Sequence, residues 1–269
     1  MGDEIGMHAL GVSIDALTGS YTAVGAPLVH LLEAMIKVNL RSVLPFWFTL
    51  DTRLATNKSA MFLLAFLVVH CTGNLVIFKG KDELNRYGDK LRKLPIYRFI
   101  EWYLIAAFVG HSSFALFRTH QKRKYIFPTP KAALLRGRLF LSSMCIGFFL
   151  VHHLMHFKFG RTYETTLAED GKKIRDVHRS VLEVFSKKRM VAWYTLAMVA
   201  MGIHLREGWQ FAPRNLVAQG ALPKRFQKEA SKVGYRLIAP LCVGFAVCPL
   251  YAHFLSSRRK RDEEKEELG

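Results

Sequence analysis

Residues 59–78 read SAMFLLAFLVVHCTGNLVIF, twenty positions with no formal charge and one histidine, His70, in their second half. A helix needs about 20 apolar residues to cross a hydrocarbon core. Four further runs free of formal charge follow: Trp102 to Phe117, Leu139 to Phe157, Met190 to Leu205 and Leu237 to Leu255. The second and fourth of the five are short, but residues 95–101 and 208–212 extend them at the interface, where long basic side chains snorkel. Buried helices of a large soluble protein would not explain the rest of the pattern. Lys and Arg are confined to the connections, and Trp47, Trp102, Trp193 and Trp209 stand near run ends, where aromatic belts form. The sequence therefore predicts an all-α membrane protein, a bundle of five transmembrane helices over residues 58–257. Residues 1–57 read as an extension with an amphipathic stretch at 27–44, lying on the membrane surface or on a partner subunit. Residues 258–269 read as a solvated, mobile charged tail.

Composition excludes several classes. The net charge of +18 is spread over residues 120–124, 172–179, 187–189 and 224–236, which suits loops beside anionic headgroups, cardiolipin among them, better than a nucleic-acid surface. Cys71, Cys145, Cys242 and Cys248 lie inside apolar runs and act as small hydrophobes. No Cys-x-x-Cys-His sequence occurs, which argues against a covalently attached haem. There is no dinucleotide fingerprint, cysteine ligand set or hydrolytic triad, so no catalytic residue is expected in this chain. Asp3, Glu4 and Asp15 precede any Arg, a poor match to an acid-poor transit peptide, and no internal repeat of the transporter kind is visible.

The informative residues are histidines. His70, His111, His204 and His253 lie singly in the first, second, fourth and fifth runs, and His152, His153 and His156 crowd the third. Ionisable groups inside a bilayer are costly and are functional candidates by default. Alternate helices run in opposite directions, so depth follows from about 1.5 Å of rise per residue. His70 lies roughly 12 Å, and His153 roughly 6 Å, from the exit ends of odd-numbered helices; His111 and His204 fall in the later halves of even-numbered ones. Two pairs at two depths would suit two b haems, each held by two axial imidazoles, a ligation that favours electron transfer over oxygen binding. Spacing alone does not choose among His152, His153 and His156. Gly73, Gly110, Gly202 and Gly208 near these histidines suit either a macrocycle or helix packing.

The segment His70-Cys-Thr-Gly-Asn74-Leu, followed by Asn85-Arg-Tyr87, resembles the end of the first helix and the start of the next in a known family. Gly110-His111, His153-Leu-Met-His156-Phe157 and Gly202-Ile-His204-Leu-x-x-Gly208-x-Gln210 continue the likeness in order. That family is the single-chain, five-helix, dihaem cytochrome b anchor of succinate dehydrogenase and fumarate reductase (complex II). The resemblance runs from about Lys58 onward. It implies that His70 and His153 hold the iron of the haem farther from the catalytic subunits, and that His111 and His204 hold the nearer one. Arg118 and Arg206 become candidates for propionate contacts, and His156 for a propionate or quinone contact. It also implies docking of an iron-sulfur subunit and a flavoprotein subunit that carries the dicarboxylate chemistry, with quinone as the membrane substrate. Some fumarate-linked relatives place a carboxylate two residues before the fourth-helix ligand; Gly202 stands there, so that proton route is not expected. The long N-terminal extension and third loop favour the mitochondrial inner membrane over a bacterial cytoplasmic one. Two other readings are a dihaem anchor of a formate- or nitrate-linked enzyme and a haem-free structural anchor.

Overall fold

The computed structural model describes residues 52–123, 129–167, 171–218, 220 and 222–268; the amphipathic stretch expected at 27–44 lies outside them. The long helices are α1 (Thr52–Leu75), α3 (Tyr97–Arg123), α4 (Pro130–Phe157), α6 (Lys188–Trp209) and α8 (Gln227–Leu268). Between them come α2 (Lys81–Lys93), strands β1 (Glu164–Thr166) and β2 (Lys173–Arg175), α5 (Val177–Phe185) and α7 (Ala212–Ala218).

Four helices, α1, α3, α4 and α8, are long and apolar enough to cross a membrane. Their outward faces agree. On α3 the exposed residues Phe99, Trp102, Ile105, Val109 and Leu116 recur at helical spacing, and on α4 so do Leu141, Met144, Phe148, Val151 and Met155. Continuous apolar stripes of this length would promote association in water, whereas a bilayer solvates them. The chain is thus a largely helical integral membrane protein. The fifth long helix, α6, has 22 residues and differs in character, with Val191, Tyr194, Ala197, Met198, Ala200 and Met201 buried against protein.

The close helix contacts are α1 on α3, α4 on α6, and α8 on both α1 and α6. Among the described residues α1 does not pack closely on α4, nor α3 on α6. The bundle is therefore two helix pairs joined along one side by α8. Glycines set two of the contacts. A Cβ at Gly234 of α8 would stand 1.8 Å from the indole of Trp209 at the end of α6, and one at Gly73 would stand 2.6 Å from the Tyr87 hydroxyl. Gly73 thus admits Tyr87 of α2, which accounts for it by packing rather than by approach of a macrocycle. Gly202 meets Cys242 Sγ on α8 at 3.4 Å, and Gly208 faces nothing within 4 Å.

A polar cap closes the end of the bundle where α1 turns into α2. Gly80 makes that turn at φ 100°, a conformation that disfavours any side chain. The third loop is a short hairpin, with Thr165 opposite Ile174, and Asp176 then caps α5 by accepting from Arg179 N at 2.9 Å. Asn85 of α2, fully buried, joins both: its Nδ2 donates to Asp176 Oδ1 at 3.0 Å and its Oδ1 accepts from His178 N at 2.9 Å. Lys81 Nζ adds a longer ion pair to Asp176 Oδ2 at 3.7 Å. Burial holds the adjacent His178 imidazole below its ordinary value. At the other terminus the charged tail continues α8 as an exposed helix to Leu268. Its exposed turns carry an i,i+4 pair, Arg259 Nε to Glu263 Oε1 at 2.7 Å, a spacing that supports a solvated helix.

The cap yields a direct test. Asn85→Ala leaves a buried carboxylate oxygen and a backbone N–H short of a partner, a loss of about 2–3 kcal/mol. Limited proteolysis in mild detergent should then cut the hairpin and α5 region, residues 160–187, faster than in the parent protein, with the long helices still resistant.

Candidate functional site

The two depth-matched histidine pairs of the sequence meet in space. His70 of α1 and His153 of α4 have ring centroids 5.9 Å apart at an interplanar angle of 82°. His111 of α3 and His204 of α6 stand 6.2 Å apart at 81°. Each pair spans the space between two helices that do not pack closely on each other. A ligating imidazole nitrogen stands about 2 Å from its metal, so rings at these separations would leave room for a metal group between them.

The separation of the pairs along the bundle follows from contacts at the second one. Ser59 of α1 lies 3.4 Å from His111 Nδ1, and Ser59 precedes His70 by eleven residues, about 16 Å of helix. Ser143 of α4 lies 3.3 Å from His204 Nδ1 and precedes His153 by ten residues, about 15 Å. Two independent helices therefore give the same spacing.

Those contacts also bear on the ring tautomers. His111 Nδ1 faces the carbonyl of Thr56 at 3.3 Å, and a carbonyl only accepts, so Nδ1 carries the hydrogen. The Ser59 hydroxyl spends its one hydrogen on carbonyls of its own helix, Ala55 at 2.9 Å and Thr56 at 3.0 Å, and is left to accept. Ser143 lies 2.6 Å from Leu139 O, to which it can donate, and 3.3 Å from His204 Nδ1, an arrangement that suits hydrogen on that nitrogen. His111 thereby keeps Nε2 as its lone-pair nitrogen, and His204 does so when Ser143 accepts from its Nδ1. At the other pair the His153 Nδ1 is buried without a hydrogen-bond partner. His70 lies between Phe66, stacked at 5.2 Å, and Phe245 at 5.7 Å.

The crowded third-helix histidines separate cleanly. His153 faces His70; His152 is exposed, donates from Nδ1 to Phe148 O at 2.9 Å and abuts Trp193. His156 Nδ1 pairs with the Tyr194 hydroxyl at 3.1 Å. Tyr194 is buried against Phe149, Phe157 and Phe185. His253, unassigned from sequence, donates from Nδ1 to Phe185 O at 2.8 Å and so caps the C-terminus of α5.

The arginines fall differently. Arg118 is half-buried and seven residues beyond His111, nearly the same face of α3 two turns on. Arg206 is exposed and two residues beyond His204, about 200° around α6, so it leaves the helix on the opposite face. Arg175 was not singled out by sequence: brought in by the hairpin, its Nη2 donates to Phe157 O at 2.9 Å, one turn beyond His153. Ser59, Ser143 and the Thr56 carbonyl were also missed, because no local pattern reveals which helix lies beside a given serine.

Comparisons with known protein families, with curated proteins and with solved structures find no match to this chain. Among the described residues no three His, Cys, Asp or Glu side chains come together as a metal-binding group.

Tyr194 anchors the aromatic packing beside His153 and His156. Tyr194→Ala should cost about 3–5 kcal/mol, whereas Tyr194→Phe, which removes only the hydroxyl contact to His156, should cost about 1 kcal/mol. Thermal unfolding in one detergent, compared across the three proteins, checks the order.

Proposed function

We propose that this chain is the membrane anchor and cytochrome b subunit of a succinate:quinone oxidoreductase, holding two b haems. In this reading α6 is a fifth crossing; its 22 residues amount to about 33 Å, the thickness of a hydrocarbon core. Its burial between α4 and α8 explains why it can be less apolar than its neighbours. The observation that carries the proposal is the meeting of four intramembrane histidines as two crossed pairs, each bridging a gap between unpacked helices. A bare metal ion in a protein site ordinarily takes more than two side-chain ligands. Two imidazoles suit an iron whose other four positions are already filled by a porphyrin.

His70 and His153 would hold one haem, and His111 and His204 the other. The bound groups supply one-electron transfer. The protein supplies position: α1, α3, α4 and α6 set the spacing of the pairs, and the surrounding apolar side chains keep water away. Arg118 and Arg175 lie one to two turns from the two pairs toward the helix ends, where a cation would offset a propionate. That placement favours Arg175 over Arg206 as the second propionate partner. The flavoprotein and iron-sulfur subunits, the quinone and the mitochondrial inner membrane follow from the motif resemblance, as does the assignment of His111 and His204 to the haem nearer the iron-sulfur subunit.

The test is haem content and partners. Chain purified in mild detergent should carry two noncovalent protohaems by pyridine haemochrome, together with a flavoprotein and an iron-sulfur protein. His153→Ala should remove one haem while His152→Ala keeps both, and His204→Leu should loosen the other. A haem content near zero removes the cytochrome reading. Copurification with a formate- or nitrate-active subunit moves the chain to that class of anchor.

A further inference from the structure

The two histidine pairs are not supported alike. At His111 and His204 each Nδ1 has a hydrogen-bond partner on the helix packed beside it: Ser59 and the Thr56 carbonyl of α1 for His111, and Ser143 of α4 for His204. At His153 the corresponding nitrogen is buried without a partner. The serines occupy the closely packed contacts, α1 on α3 and α4 on α6, while the histidine pairs bridge the open direction between them.

We propose that Ser143, with Ser59 and the Thr56 carbonyl, positions and tunes the His111/His204 pair: these groups hold both rings with hydrogen on Nδ1 and strengthen Nε2 as a donor. This rests on the haem reading above. A hydrogen bond accepted from the remote N–H of a ligating histidine fixes the ring and raises its basicity. A more basic ligand stabilises the oxidised iron, so the hydrogen bond lowers the reduction potential of that haem alone. Had the serines served only to satisfy carbonyls of their own helices, at Leu139, Ala55 and Thr56, their loss would leave the potential unchanged.

Redundancy differs between the two ligands. His204 Nδ1 faces one serine, whereas His111 Nδ1 faces a serine at 3.4 Å and a carbonyl at 3.3 Å. Ser143→Ala should therefore have the larger effect and Ser59→Ala the smaller one, since the Thr56 carbonyl remains. Alanine suits a helix interior, so both variants should assemble.

The experiment is a spectroscopically monitored redox titration of the intact membrane complex, with His204→Leu identifying which absorbance belongs to the His111/His204 haem. Ser143→Ala should raise that haem's midpoint, changing its oxidised-to-reduced ratio at fixed potential several-fold. A tenfold change would be about 59 mV for one electron. Ser59→Ala should move it less, Ser143→Thr should restore it, and the His70/His153 haem should stay in place in every variant. An unchanged midpoint in Ser143→Ala, an equal shift of both haems, or no restoration by threonine overturns the assignment while leaving the dihaem reading intact. A parent protein that contains no haem overturns both.

Discussion

Inside a hydrocarbon layer there is no water to complete a hydrogen bond, so each backbone group, and each polar side chain carried in with it, has to find a partner within the protein. The backbone meets this condition by remaining helical through the long spans, except that Pro240 and Pro249 inside α8 each remove one intrahelical hydrogen bond. Side chains meet it locally. Thr56, Ser59, Thr72, Ser142 and Ser143 return their hydroxyl hydrogens to carbonyls of their own helices. Cys71 reaches across to the Leu241 carbonyl of α8 at 3.7 Å. Against that background the histidines are conspicuous. His152 and His253 donate to backbone and are accounted for structurally, while the ring-to-ring pairs retain lone-pair capacity that helix packing does not use.

The helix arrangement explains how such a capacity is kept available. If α1 packed directly on α4, and α3 on α6, the rings would be squeezed out of register, because directly packed helices lie only about 8–10 Å apart. Instead α8 ties α1 to α6 along one side and leaves the two helix pairs face to face. Small residues are spent on that tie and on docking α2. Gly234 receives the Trp209 indole, Gly202 meets Cys242, and Gly73 receives Tyr87. The Asn85 and Tyr87 positions of the motif after the first span thereby have a physical meaning. Asn85 holds Asp176 and α5 over the end of the bundle, and Tyr87 seats α2 against α1.

Much of the architecture was legible in residue order. Long uncharged runs, basic connections and helical spacing dictated the long helices. Depth counting matched His70 with His153 and His111 with His204, because rise per residue is a property of the helix and needs no knowledge of neighbours. Composition also distinguishes α6 from α1, α3, α4 and α8, the helices long and apolar enough to span: one face of α6 is buried on protein, while Leu196, Val199 and Ile203 stay exposed on the other.

Spacing left the 152–156 cluster open and the motif resemblance pointed to His153; tertiary structure shows it facing His70, since one residue of difference is a 100° rotation whose meaning depends on where the neighbouring helix stands. It decided that Gly73 serves Tyr87, that Arg206 leaves α6 opposite His204, and that Arg175 arrives at the end of α4 from a hairpin eighteen residues away in sequence. It also decided the serine contacts, where Ser59 meets a histidine fifty-two residues on and Ser143 one sixty-one residues on. A sequence records period and polarity along one helix; the contact between two helices depends on their rotation and separation, and those are set by the packing of the whole bundle.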